Sequence, residues 1–298
     1  MENRHNDHRS LLMFVSSMLI FGTIGIFRRW LPFSSAFLAF ARGTFGGLFL
    51  LAFTRLKRKS AGERLPACVF AGLAVSGAVM GINWILLFEA YNHTTVAVAT
   101  LCYYMQPTIV MLLSPLIFRE RLTGRKAVCA VIAVAGMVLV SGVVGGGSAQ
   151  AGNPRGVLLG LGAAVCYSVV VIMNKTIRGV DAWRKTTVQL FSAGLVMVPY
   201  LLLTSGFSGE GFSLPAALLL FVVCLVHTGI AYVLYFGSMD GLKAQSIAIL
   251  SYIDPVSALL FSALFLREPL SPAGVIGAVM IIGSAVVSEI RTAKEKQA

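Results

Sequence analysis

The sequence predicts an all-α integral membrane protein, with ten transmembrane helices forming two inverted five-helix repeats around a central cavity. Three observations predict it. The chain of 298 residues is 57% hydrophobic and only 12% charged, whereas a soluble domain carries about 25% charged residues. Its apolar residues gather into ten runs, each near the ~20 residues that a helix needs to cross a hydrocarbon core of ~30 Å. Finally, one segment returns 148 residues later. Laying 81–122 on 229–270 without a gap matches 12 of 42 positions: Gly81, Ile82, Leu86, Phe88, Tyr104, Pro107, Leu112, Ser114, Leu116, Arg119, Glu120 and Leu122. An internal copy of this kind reads as a duplicated membrane unit.

The ten runs are 11–29, 33–54, 66–88, 95–118, 126–144, 156–175, 185–205, 215–236, 244–266 and 272–290. Pro32, Pro66, Pro154 and Pro215 stand at or just before their starts, where a missing N–H costs little. The first run follows a charged opening, as a secretory signal would. No small-residue cleavage site follows it, Arg28 and Arg29 close it and nine more runs come after, so it is expected to remain as the first span. The break between halves is the glycine-rich stretch with Gly145, Gly146 and Gly147, a flexible connector. The expected division is therefore 1–144 for the first repeat, 145–154 for the linker and 155–298 for the second repeat.

Lys and Arg set the orientation, because cytoplasmic loops carry the excess. With the N-terminus inside, 19 of the 24 cationic residues fall on the cytoplasmic side, 4 fall outside and Arg42 lies within a span. Both termini are expected in the cytoplasm and the protein in the cytoplasmic membrane. Arg28 and Arg29 are the outside exception, their heads expected to reach the headgroups or an outer vestibule. Five spans per half is an odd number, so the second copy enters the bilayer upside down. Small-residue spacings, Gly77 with Gly81, Gly156 with Gly160 and Gly43 with Gly46 and Gly47, are sites where helices can approach closely.

Several function classes are excluded. The net charge of +12 is scattered over membrane-edge loops rather than gathered on one surface, so it signals topology and not nucleic-acid binding. No phosphate-binding loop of the GxxxxGK[ST] type, no HExxH and no His/Cys cluster occurs, so no cofactor or metal is expected and an enzyme is disfavoured. The five cysteines lie in apolar runs without paired spacing and are expected to act as small buried hydrophobes. The expected partners are the lipid bilayer and a small-molecule substrate.

Ionisable groups deep in a span are the most informative, because each costs at least about 2.5–3.5 kcal/mol there. Arg42 lies about 13 Å into the second span from outside, and Asp254 about 15 Å into the ninth from inside, at 1.5 Å per residue. They either pair to lock the bundle, or they line a cavity in which Arg42 holds a carboxylate and Asp254 takes and releases a proton. His227 is at similar depth, as an interhelical hydrogen-bond partner or as a coupling group with Asp254. The repeated Tyr-x-x-Pro, Tyr104 to Pro107 and Tyr252 to Pro255, should interrupt both helices mid-membrane, which marks binding sites in transporters. Around these kinks Tyr103, Tyr104, Gln106, Tyr252 and Asp254 are candidate cavity residues, with Gln106 and Asp254 equivalent. Trp84 and Tyr232 are also equivalents, expected as aromatic walls toward opposite ends of the cavity. Glu89 should be solvated at the outer surface, and Asn174 and Gln189 stand near the inner mouth.

These features resemble the drug/metabolite transporter superfamily of the EamA type. The resemblance rests on the ten spans in inverted halves, on Arg42 in the second span and on two repeat ends. One end runs from Pro107 to Phe118, Arg119, Glu120, Arg121 and Leu122; the other runs from Pro255 to Leu266, Arg267, Glu268, Pro269 and Leu270. Family members often carry Glu where this chain has Asp254. The resemblance implies a transporter with a central cavity, of a kind that commonly exports amino acids, related metabolites or drugs. It supplies no substrate motif. The leading expectation is thus a secondary exporter of small metabolites working by alternating access, with proton coupling through Asp254 and His227. The rivals are a non-transporting sensor or assembly partner, which needs Arg42 and Asp254 to pair, and an intramembrane enzyme using Asp254 and His227.

Overall fold

Among the described residues, every stretch expected to span is mostly helical. The computed structural model describes residues 2–56, 65–94, 96–140, 153–204, 212–266 and 272–289, and among them no strand occurs. Two of the expectations above, the linker glycines 145–147 and the second Arg267 and Glu268 pair, lie outside the described residues, as do the side chains of Arg28 and Arg29.

The first half begins with α1 (Glu2–Gly22), continued after a turn at Thr23 by α2 (Ile24–Trp30). Then come α3 (Ser35–Leu56), α4 (Ala67–His93), α5 (Val96–Tyr103), α6 (Gln106–Phe118) and α7 (Gly124–Val140). The second half has α8 (Pro154–Thr176) and α9 (Ala182–Thr204), and then a compound rod. That rod is α10 (Leu214–Val222), a π-helical turn Val223–Ile230, α11 (Ala231–Ser238) and a 3₁₀ turn Met239–Gly241. It is followed by α12 (Ala244–Leu250), α13 (Ile253–Leu266) and α14 (Pro272–Glu289). Asn153 caps α8 through its side chain, with Pro154 in the first turn, and Ser213 caps α10 in the same way.

Seven of these rods are long and apolar enough to cross a membrane, counting α5 with α6 and α12 with α13 as single rods. The remaining expected spans, the first, fifth and tenth, are shorter: the apolar stretches His8–Gly22 and Pro272–Ser288 fall in the 10–17 residue range, and α7 has 17 residues. The third span runs further than expected, to His93.

Both repeated prolines do more than kink their helices. The fourth rod stops at Tyr103 and restarts at Gln106, and the ninth stops at Leu250 and restarts at Ile253. Pro107 and Pro255 therefore stand in the first turn of a new helix, where their missing N–H is harmless.

The 148-residue offset carries all of the helices onto helices: α3 onto α9, α4 onto α10 through the 3₁₀ turn, α5 and α6 onto α12 and α13, α7 onto α14. Packing obeys the same exchange. The contact of α4 with α8 is mirrored by α11 with α1, that of α4 with α9 by the π-turn with α3, and that of α6 with α8 by α13 with α1. Equivalent helices run antiparallel where they meet. Along α3, Gly43 faces Gly194, Gly47 faces Phe191, and the Phe53 ring stacks on Trp183 with centroids 4.5 Å apart. Rising numbers on one helix meet falling numbers on the other. The same order holds between the fourth and ninth rods, where Tyr104, Thr108 and Glu120 meet Asp254, Tyr252 and Ala244.

The glycine spacings mark these contacts. A Cβ on Gly43 would lie 2.8 Å from the Gly194 backbone, and one on Gly160 2.8 Å from Cys102 Cβ. Polar bonds add to the close packing: Asn83 Nδ2 donates to the Ala163 carbonyl at 2.7 Å, and Gln189 Nε2 to Ser76 Oγ at 2.8 Å. Helix association in lipid depends on such contacts, since apolar burial alone gives no drive between helices. Cys129 and Cys224 are buried as expected of small hydrophobes, but Cys68 is exposed.

Candidate functional site

Three rods converge on Arg42. Its Nε donates to Thr228 Oγ1 at 2.9 Å, and its guanidinium lies 5.4 Å from the Trp84 ring centre. A cation over an indole face is held by the ring quadrupole. Thr228 sits in the π-helical turn, and its hydroxyl donates to the Val223 carbonyl, five residues back, at 3.2 Å. That spends its one proton, so Thr228 meets Arg42 as an acceptor. Turns of this kind recur at functional sites.

His227 is the neighbour of Thr228 in the same turn and is buried. Its Nε2 lies 2.8 Å from Thr23 Oγ1, and Thr23 donates its proton to the Ile20 carbonyl at 2.7 Å. With its proton on the Ile20 carbonyl, Thr23 faces His227 Nε2 as an acceptor, an arrangement that favours the imidazole tautomer protonated at Nε2. The Phe27 ring stands edge-on to the imidazole at 4.6 Å. The break between α1 and α2 is thus where a mid-span histidine docks.

At the breaks of the fourth and ninth rods, Tyr104 donates to Asp254 Oδ2 at 2.9 Å, and the Tyr252 and Thr108 hydroxyls meet at 2.8 Å. Each repeated tyrosine reaches across to the start of the opposite half-helix. The Asp254 position is taken in the other half by Gln106, which is buried with its Nε2 lacking a hydrogen-bond partner among the described residues. Arg42, Tyr103, Tyr104 and Asp254 each keep part of their surface accessible, though packed helices surround them.

Tyr103, Tyr104, Trp84, Tyr232, Arg42 and Asp254 are joined through aromatic rings. Tyr103 packs on Tyr104 at 5.6 Å and on Tyr167 at 5.8 Å; Tyr167 stacks on Tyr235 at 6.4 Å with planes 3° apart; Phe21 meets Tyr232 edge-on at 5.1 Å. Trp84 and Tyr232, expected toward opposite ends of a cavity, are instead neighbours at the centre. The reason is the pseudo-twofold relation: equivalents close to its axis meet, whatever the sense of their helices. Tyr252 belongs to a flanking apolar cluster with Val256, Ala133 and Ile281.

Arg42 and Asp254 do not pair. One is held by Thr228 and Trp84, the other by Tyr104. Glu89, expected to be solvated, accepts from the Tyr200 hydroxyl at 2.7 Å. A groove of about 430 Å³ opens between α7 and α14, lined by Gly124, Val128, Ile132, Val279, Gly283 and Val287, and holds none of the candidate residues.

Sequence reasoning missed Thr23, Thr108, Tyr167, Thr228 and Tyr235. Tyr167 and Tyr235 map onto Leu19 and Leu87 under the offset, so a search for repeated residues passes over them. The signal available was spacing: Tyr232 and Tyr235 lie three apart on one helix face.

Thr228→Val should leave the Arg42 Nε without its acceptor while keeping side-chain shape. A hydrogen bond to a charged group contributes about 1.5–3 kcal/mol, so the thermal transition in detergent should fall measurably, with Thr228→Ser close to the parent. Equal transitions for all three proteins would remove Thr228 from this role.

The fold and its centre define a class: a polytopic helical membrane protein of two like halves, with charged and aromatic groups gathered where broken helices cross. The EamA-like transporter family matches residues 8–142 and again residues 154–289. The chain belongs to that family and is a membrane transporter. The uncharacterized transporter YxxF of Bacillus subtilis (strain 168) is 27% identical over 288 residues, covering 95% of this chain and 90% of that one. An uncharacterized transporter of Archaeoglobus fulgidus is 27% identical over 275 residues, covering 92% and 94%. Protein PecM of Dickeya dadantii (strain 3937) is 28% identical over 219 residues, covering 72% of each chain. A solved crystal structure with 21% identity superposes with a TM-score of 0.81 over 94% of this chain and 98% of that one, a likeness of fold. The Bacillus and Archaeoglobus relatives are named transporters, which agrees with the sequence reading of a protein that is not an enzyme.

Proposed function

We propose that this transporter is a secondary exporter of small metabolites, amino acids and related compounds first among them. It works by alternating access across the cytoplasmic membrane, with ten crossings and both termini in the cytoplasm. Residues 1–144 and 155–298 form two inverted halves joined by 145–154, and the substrate sits between them. Arg42, Trp84, Tyr103, Tyr104, Gln106, His227, Tyr232, Tyr252 and Asp254 are the proposed binding residues. Arg42 takes a carboxylate, and Asp254 with His227 couples transport to the proton gradient.

The observation that carries this reading is that Arg42 and Asp254 take separate neutral partners while keeping accessible surface at the centre of the bundle. A bundle held together by its charges would spend them on each other, since an unpaired buried charge is expensive. Antiparallel contact between equivalent helices adds support, because two like halves in opposite sense can exchange conformations around a shared site.

Counterflow in proteoliposomes tests it. Purified protein preloaded with an unlabelled compound should take up the labelled one transiently, for at least one member of a broad amino-acid and metabolite panel. Silence across the whole panel, from protein that is folded by thermal transition, would overturn the substrate class. Topology is read separately, from reporters fused at each end, both of which should report the cytoplasm.

A further inference from the structure

Three lysines sit where a membrane protein seldom hides them. Lys185, Lys175 and Lys126 are 1%, 4% and 8% exposed, and from sequence they count only as loop charges that set orientation. Lys175, at the end of α8, donates to the Leu242 carbonyl and, at 3.5 Å, to the Met239 carbonyl. Those carbonyls close the eighth rod, and a cation at a helix C-terminus is favoured by the dipole. The Phe118 ring covers the same ammonium at 5.6 Å. Lys185, at the start of α9, donates to the Asn174 carbonyl at 3.1 Å, and Lys126 Nζ lies 3.5 Å from Ser246 Oγ.

Glu120 completes the arrangement from the opposite direction. Its two carboxylate oxygens accept from the backbone N–H groups of Ala244 at 3.0 Å and Gln245 at 3.3 Å, the first residues of α12. A carboxylate there satisfies two orphan donors and the positive end of the dipole. It reaches them because Arg119 takes a left-handed conformation, φ 54°, the sole non-glycine positive φ among the described residues. Such a conformation persists only where the surroundings enforce it. One network therefore ties together the ends of α6, α8 and the eighth rod and the starts of α9 and α12.

The equivalents of the two lysines are built differently. Under the 148-residue offset, Lys175 and Lys185 map onto Phe27 and Phe37. Phe27 packs on His227, and Phe37 on Phe33 at 5.2 Å and Phe212 at 5.9 Å.

We infer that Glu120 and Lys175 are the latch of a closed gate on their own face, and that their bonds to the start of α12 and the end of the eighth rod must part before the centre opens there. At the two lysine positions the faces thus differ, with charge on backbone carbonyls here and aromatic contact at their equivalents. The inference rests on the proposed function only for naming this face cytoplasmic and for the use of the opening.

Spin labels on Arg121→Cys and Lys243→Cys, both exposed positions, read the gate without any substrate, once Cys68, Cys102 and Cys166 are replaced by Ser. The parent should give one narrow distance. Glu120→Ala should add a second population longer by about 5 Å, the rise of one helical turn, and Lys175→Met should do the same. Lys175→Arg, which keeps donors for the carbonyls, should retain the narrow distance. If Glu120→Ala does not fold, Lys175→Met alone decides. A native distance in every folded variant overturns the latch. Counterflow on the same proteins separates the two readings: open variants of a protein that moves no compound would sink the transport assignment and leave the latch. Active protein whose distance never changes would sink the latch alone.

Discussion

Gly77→Val is expected to abolish the folded bundle. A Cβ at residue 77 would lie 2.6 Å from the Gln189 Cα, and closer still to its carbonyl, so the obstacle is backbone that cannot rotate away. The helices α4 and α9 would have to part. The neighbouring Ser76 would then lose the Gln189 amide bonded at 2.8 Å, leaving both groups unpaired in a buried interface. Overpacking alone costs about 1–3 kcal/mol and more when backbone must move; the stranded polar groups add about 1–3 kcal/mol each. Together they rival a typical folding stability of about 5–15 kcal/mol. Monodispersity and thermal transition in detergent check it. The control is Gly283→Ala, where nothing lies within 4 Å of the added carbon; it should be neutral or slightly stabilising, since Ala outranks Gly in helices by about 1 kcal/mol. A Gly77→Val protein that melts with the parent would refute the account of this interface.

Asp254→Asn is the second large effect, and it separates coupling from binding. Asn has nearly the same shape and still offers an oxygen to Tyr104, which donates to Asp254 at 2.9 Å, so the break between α12 and α13 should survive. What is lost is the ability to exchange a proton. A pH gradient of one unit, used one proton per substrate, supports at most about tenfold accumulation, since one unit is 1.36 kcal/mol. Gradient-driven uptake into proteoliposomes should lose that whole factor, while exchange of labelled for unlabelled substrate continues. Unchanged gradient-driven uptake in Asp254→Asn would remove the residue from coupling, and loss of exchange as well would show that its charge, and not only its shape and oxygen, is needed for binding.

Much of the fold is legible along the chain because its causes are local. A bilayer requires runs of apolar residues, and a duplication leaves an offset that can be read without any contact. That offset, found from 42 positions, carries the helices of one half onto those of the other. The repeated tyrosines and prolines also announced where the fourth and ninth rods are interrupted. The candidate site was legible only as depth. Arg42, His227 and Asp254 could be placed near mid-membrane, but whether the charges met depended on how the rods were turned about their axes.

What the sequence determined by itself was membrane class, the repeat, the sites of helix interruption and the family, since composition and offset act in one dimension. What only the tertiary structure decided was who touches whom: Arg42 with Thr228 and Trp84, His227 with Thr23, Trp84 with Tyr232. The lysines make the difference plain. In the sequence Lys175 and Lys185 are loop charges like any other; in the folded chain they are buried on backbone carbonyls of other helices. The physical reason is that hydropathy records how far a residue lies from water along its own helix, whereas a hydrogen-bond partner is set by the rotation and crossing of a second helix distant in the chain.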